Sequence, residues 1–264
     1  MSISERDRLL SALGAELHSA YSEHKAIEPL TTRGYNLSLD EAYRIQRHML
    51  TPRISAGVNV VGKKIGATSE PVQKAVGIDQ PDFGCLLADC AFQSGDIIPF
   101  DRLIQPKAEG EIAFFLAEDL RGPGITSAVV IEATQYVSPC LEIVDSRIRD
   151  WQINIVDTIA DNASCGVFIM GKSKVDPSRL NLASRKMVME INQKIVATGT
   201  GAASLGHPAN AVAWLANRLG ELGETLTAGQ PILSGSLGVL VDVNAGDEVR
   251  LVIEDIGECT AQFS

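Results

Sequence analysis

Two glutamates stand two residues apart in the stretch QPKAEGEIAFFL (105–116). If the stretch is a strand, Glu109 and Glu111 point to one face, their Cβ atoms about 6.5 to 7 Å apart. The apolar run Ile112 to Leu116 marks a core element, where one carboxylate is costly and two repel each other. A hard divalent cation resolves that conflict, because converging carboxylates supply the oxygen ligands that Mg²⁺ or Mn²⁺ prefers. A third carboxylate, Glu142 in YVSPCLEIVDSR (136–147), is flanked by Leu141 and Ile143 in a second core-strand pattern. Three ligands from two strands leave positions open for water and a chelating substrate, which describes a catalytic metal site rather than a closed structural one.

A lysine with a chemical role lies in VVGKKIGATS (60–69). On a strand Lys63 and Lys64 face opposite sides, so only one points inward. A lysine held in a pocket can lose its proton near neutrality and act as a base. The segment VDTIADNASCG (156–166) packs Asp157, Asp161, Asn162 and Ser164 together, and either builds a turn or lines a site. His207 precedes Pro208 at a helix start, a position that suits capping or packing better than catalysis. GVFIMGKS (166–173) satisfies a P-loop expression, but its middle is an apolar strand sequence and Asp176-Pro177 interrupts the helix that should follow. It does not predict nucleotide binding. The run GTGAASLG (199–206) reads as a flexible turn, and the sequons at Asn36 and Asn162 carry no meaning without secretion.

The elements that must position these groups are legible in part. Ser4 and Asp7 resemble a capping box, and Leu9, Leu10, Leu13, Leu17, Ala20 and Tyr21 recur at helical spacing, which predicts a helix from about residue 5 to 23. A second helix opens at Ser38 with Glu41 three residues on, and Pro52 is expected to stop it. From Val58 the chain changes to short apolar runs broken by Gly, Pro and Asp, with one more helix from Pro208 to Gly223. The strands cluster, so the expected class is α+β with a mixed, largely antiparallel sheet or roll. A helical N-terminal unit (1–57) and a β-rich catalytic domain (58–264) follow.

At 264 residues, 45% hydrophobic and 21% charged, the chain suits a packed globular fold. A net charge of -10 argues against a nucleic-acid or anionic-membrane binder, since both need a basic footprint. There is no apolar run of 18 residues and no signal-peptide pattern in MSISERDRLL, so a cytoplasmic location is expected. Five cysteines without CxxC spacing read as buried free thiols.

PKAEGEIAFFL, CLEIVDSRIRDW, DTIADNASCG, LGHPANAVAWLAN and GDEVRLVIEDIG, in that order, resemble the hydratase and decarboxylase branch of the fumarylacetoacetate hydrolase superfamily. VVGKKIGATS followed by VGIDQPDFG is most similar to its 2-hydroxypenta-2,4-dienoate hydratases, although Ala67 stands where relatives commonly carry leucine, which alters pocket volume. The resemblance implies a mixed β-roll, homo-oligomers, and Mg²⁺ or Mn²⁺ on Glu109, Glu111 and Glu142. It selects Lys64 over Lys63, with Lys64 and Asp79 as base and acid, and Ser164 and Ser236 holding the substrate carboxylate or a water. The expected reaction adds water to a small anionic 2-hydroxy-dienoate, and a neighbouring pathway enzyme is a candidate partner. The alternatives are a 4-oxalocrotonate decarboxylase, with Arg147 or Arg149 holding the far carboxylate, an acylpyruvate hydrolase using His207, and a weakly catalytic complex partner.

Overall fold

The computed structural model describes residues 4–69, 73–74 and 80–264. Helix α1 (Glu5–Ser22) begins where the Ser4 hydroxyl accepts from the Asp7 N–H. Helix α2 (Leu39–Ser55) opens on a full capping box between Ser38 and Glu41. Arg6 ties the two helices together through a salt bridge to Glu41. The expected stop at Pro52 does not occur: α2 runs three residues further, because a proline so near the last turn removes one hydrogen bond without displacing a long following segment. The Gln46 carboxamide then joins α2 to the rest of the chain, donating to the carbonyls of Phe83 at 3.1 Å and Ile159 at 2.9 Å.

The strands are β1 (Val60–Gly66), β2 (Asp82–Leu87), β3 (Ala91–Gln93), β4 (Ile97–Ile98), β5 (Pro106–Leu116), β6 (Thr134–Asp145), β7 (Cys165–Met170), β8 (Lys186–Ile191), β9 (Lys194–Thr200), β10 (Pro231–Leu233), β11 (Val241–Asp242), β12 (Glu248–Ile253) and β13 (Gly257–Phe263). One sheet has the order β2-β1-β10-β5-β6-β7-β3, with β11 on β5, and the other has the order β4-β13-β12-β8-β9. β1 with β10, β3 with β7, and β4 with β13 run parallel, and the remaining pairs are antiparallel. The fold is α+β with a mixed, largely antiparallel sheet system, as the clustering of strands requires. Gly110, between the two glutamates of β5, faces away from them toward the second sheet, where a Cβ would lie 2.6 Å from Leu251 Cδ1. Its lack of a side chain lets the two sheets close.

Among the described residues the further helices are α3 (Ser127–Ala133), α4 (Ile155–Ala160) and α5 (Pro208–Glu221). α3 and α4 were not expected, being too short for a periodic signal. α4 is nevertheless firmly capped, because the Asn154 side chain accepts from the N–H groups of Val156 and Asp157. The apolar run PILSGSLGVLVDV (231–243) is split into β10 and β11, with Gly235 turning the backbone to a φ of +93° between them. The P-loop lookalike lies on β7. Four cysteines are buried, Cys85 is half-buried, and all five are free.

Candidate active site

The β5–β6 ladder gathers the carboxylates. Glu109 is the direct cross-strand partner of Glu142, and Glu111 is paired with Cys140, so Glu142 is diagonal to Glu111 on the same face. One ligand atom from each of Glu109, Glu111 and Glu142 lies within 4.8 Å of the others. Glu111 and Glu142 are fully buried, whereas Glu109 is half-buried and opens onto a cavity of about 1040 Å³. Glu111 Oε2 accepts from the Gly235 N–H at 2.7 Å. Glu111 Oε1 and both oxygens of Glu142 make no geometrically good hydrogen bond, and Glu142 Oε1 has a charged neighbour in Lys64 Nζ at 3.2 Å.

Orphaned buried carboxylate oxygens are rare because each retains its full desolvation penalty. Here they converge, and their hardness fits a divalent cation with oxygen ligands. Burial pushes the Glu109 carboxyl up to about 7, with Glu142 adding to the rise and Lys64 opposing it. Glu111 is held well above the usual carboxylate range, by burial first and then by Glu142 and Glu109.

Lys64 comes to the same place from β1. Its Nζ lies 3.2 Å from Glu142 Oε1 and donates to the Ala163 carbonyl at 2.8 Å, while Lys63 on the opposite face reaches Cys85 and Glu224. Burial works against the Lys64 charge, yet Glu142, Glu109 and Asp82 together hold the ammonium above the ordinary lysine range. With no cation among them, the three carboxylates outweigh burial, so the shift runs opposite to that of a lysine buried alone. A dication among those carboxylates would work in the opposite direction.

Asp82 is the residue that sequence reasoning missed. It is paired with Gly66 across β1–β2, which puts it on the same face as Lys64 and diagonal to it. It is buried with Oδ1 unpartnered, and burial raises its pKa against the pull of Lys64. The available signal was a charged residue opening the otherwise apolar strand DFGCLL. Asp79 lies outside the described residues.

Ser236 lines the cavity and its hydroxyl donates to the Gly238 carbonyl at 3.0 Å. Ser164 is buried with its hydroxyl toward Asp161 and Thr158. Arg147 is buried against Asp161 and the carbonyls of Asp145 and Cys165, and exposed Arg149 pairs with Glu28. Neither is among the residues lining the cavity. His207 caps α5, its Nδ1 accepting from the Ala209 N–H at 3.1 Å, as its place before Pro208 suggested. The cavity wall is mostly apolar, with Ile65, Met187, Val188, Val239 and Leu240, and also includes Lys186.

Residues 55–264 match the fumarylacetoacetate (FAA) hydrolase C-terminal family. The chain belongs to that family. It is 48% identical over 259 residues to a 2-hydroxyhexa-2,4-dienoate hydratase of Comamonas testosteroni, covering 97% of this chain and 98% of the relative. It is 51% identical over 216 residues to a 2-hydroxypent-2,4-dienoate hydratase of Pseudomonas putida, covering 81% and 97%. Among solved structures, 4-oxalocrotonate decarboxylase from Pseudomonas putida G7, complexed with magnesium and adipate, superposes with a TM-score of 0.94 at 32% identity over 100% of this chain and 99% of that one. Within the family, then, both the hydratase and the decarboxylase branches have members similar to this chain over most of its length.

Proposed function

We propose that this chain is a divalent-metal-dependent hydro-lyase that adds water to 2-hydroxypenta-2,4-dienoate and yields 4-hydroxy-2-oxopentanoate. The observation that carries this reading is the convergence of three glutamates and Lys64, with unbonded carboxylate oxygens, beside a large, mostly apolar cavity that Glu109 lines. Support also comes from the hydratase relatives at 48% and 51% identity.

Glu109, Glu111 and Glu142 would hold Mg²⁺ or Mn²⁺, which supplies positive charge to dock an anionic substrate and to stabilise enolate character at its 2-oxygen. Solved relatives contain magnesium or calcium, so the choice of ion belongs to the test. The Lys64 ammonium is a proton donor at Nζ, suited to protonating the terminal carbon of the dienol. Asp82, kept toward its acid form by burial, is the second proton carrier by position, with Asp79 as the candidate from motif alone. Ser236 binds the substrate carboxylate or a water, and Ser164 steadies Asp161 behind the site. The apolar wall keeps bulk water from the remainder of the substrate. Homo-oligomeric assembly fits the exposed apolar residues Ile195 and Val196 on β9, an edge strand.

The test follows loss of dienol absorbance by metal-stripped protein with and without Mg²⁺ or Mn²⁺, and identifies the product by mass. Metal-dependent gain of one water is the expected result. A decarboxylase is the second reading, favoured by the magnesium-bound neighbour and by Lys186, a cation beside the cavity that could face a far carboxylate. Metal-dependent CO₂ release from 2-oxohex-3-enedioate, with no hydration of the dienoate, would install it instead.

A further inference from the structure

Asn162, Ala163 and Ser164 pass in succession through the left-handed region, with φ of 57°, 49° and 52°. Residues other than glycine enter that region singly and at a cost, so three in a row persist only where the surroundings hold them. One side chain supplies much of that hold. The Asn162 carboxamide accepts from the Cys85 N–H at 2.8 Å and donates to the Cys85 carbonyl at 2.9 Å, pairing with the free edge of β2 as another strand residue would. β2 approaches so closely that a Cβ on Gly84 would lie 2.6 Å from the Asn162 carbonyl oxygen. Gly84 is the cross-strand partner of Lys64.

The carbonyl of Ala163, at the centre of this turn, accepts from Lys64 Nζ at 2.8 Å. An ammonium has three donors. Among the described residues, one is committed to Ala163 and a second lies toward Glu142 Oε1 at 3.2 Å, which leaves one for a reacting molecule. Asparagine combines the two properties the position needs: it tolerates left-handed backbone, and its amide both donates and accepts.

We propose that Asn162 is a positioning residue for Lys64: its clamp on Cys85 holds the left-handed turn that presents the Ala163 carbonyl, and that carbonyl sets where the Lys64 ammonium points. The proposal rests on the reading above in which Lys64 transfers a proton. Asn162 itself is not among the residues lining the cavity.

The test compares wild type with Asn162→Ala and Asn162→Gly. Glycine accepts the backbone angle without strain, so that variant separates loss of the clamp from backbone strain and provides a second variant if alanine folds poorly. For each protein, kcat and KM are measured on 2-hydroxypenta-2,4-dienoate at saturating Mg²⁺, and Mn²⁺ affinity is measured without substrate. The accessibility of Lys64 is read by brief acetic anhydride labelling and peptide mass spectrometry, with Lys107 as the internal reference.

In the glycine variant kcat should fall about 10- to 100-fold, the range expected for a reacting group displaced by about an ångström, with KM and Mn²⁺ affinity within about twofold of wild type. Labelling of Lys64 relative to Lys107 should rise several-fold. A wild-type kcat in the glycine variant, or a joint collapse of kcat, KM and Mn²⁺ affinity, overturns the proposal. If wild type does not hydrate the dienoate, the hydratase reading fails by itself. Lys64 labelling then decides the clamp, a rise supporting it and no change refuting it.

Discussion

Lys64 Nζ and Glu142 Oε1 stand 3.2 Å apart, both side chains sealed from solvent, although they belong to strands separated by β10 and β5. Opposite charges so placed reinforce each other while intact. Removing one leaves the other unpaired in a medium that cannot solvate it.

Lys64→Met should therefore lower stability most in the metal-free protein. Thermal melts with and without Mg²⁺ should show a larger metal-dependent rise than in wild type, because a dication takes over part of the lost cation's role. Turnover should fall by at least about 10². Wild-type melting without metal would mean that the ammonium does not balance the trio.

Glu111→Gln acts in the opposite sense. It replaces a carboxyl that burial and its neighbours hold toward the acid form with a neutral amide, so the metal-free protein should melt at or above the wild-type temperature. On the proposed reading it also removes a ligand, so Mg²⁺ or Mn²⁺ affinity should fall by about 10- to 100-fold or more, with turnover falling alongside. Undiminished activity at limiting Mg²⁺ would remove Glu111 from the site.

The pH dependence has a definite sign. Glu109 has a folded-state pKa of about 7 against an ordinary value of 4.5, and burial raises Glu111 in the same direction. A carboxyl raised in this way binds its proton more tightly when folded, so its contribution is present below pH 4.5 and is lost as pH rises through about 7. These groups should make the metal-free protein less stable at pH 8 than at pH 5. Loading the site must expel those protons, so apparent Mn²⁺ affinity should rise across the same interval. Calorimetric titrations in two buffers of different ionisation enthalpy would count the protons released.

Asp79 and Asp82 can be separated by the paired variants Asp79→Asn and Asp82→Asn. The position of Asp82 beside Lys64 predicts that its amide variant loses about 10² or more in kcat with KM little changed, while Asp79→Asn falls less. The reverse order would return the acid role to the motif position.

Arg147→Met leaves Asp161 buried beside an apolar side chain. A loss of about 3 to 5 kcal/mol is expected in urea unfolding, the range for breaking one partner out of a buried ion pair. A smaller loss, under about 1 kcal/mol, would show that Asp161 escapes the penalty by taking up a proton, to which burial already inclines it.

The acidic trio was legible because carboxylates inside apolar strand patterns are rare and the two-residue spacing of Glu109 and Glu111 fixes a common face. Register was not legible. Nothing in QPKAEGEIAFFL or YVSPCLEIVDSR says that Glu109 meets Glu142 rather than a neighbour of Glu142, since pairing depends on contacts across the sheet. Asp82 escaped notice for the same reason, its meaning residing in the strand opposite. The direction of the Lys64 shift in the metal-free chain was not legible either, because it depends on the sum over Glu142, Glu109 and Asp82, which three other strands supply. The short helix α4 and the left-handed turn after it carry no periodic signal, only a density of Asx and Ser side chains.

The direct pairing of Glu109 with Glu142 has a consequence for how the chain reaches its native state. A slip of one residue between β5 and β6 would set Leu141 or Ile143 opposite Glu109 and turn Glu142 to the far side of the sheet. Such a misaligned species would have no third ligand to offer. On the proposed reading, an ion held by all three carboxylates would favour the correctly aligned ladder and act during folding as a proofreader of strand alignment before it ever meets a substrate.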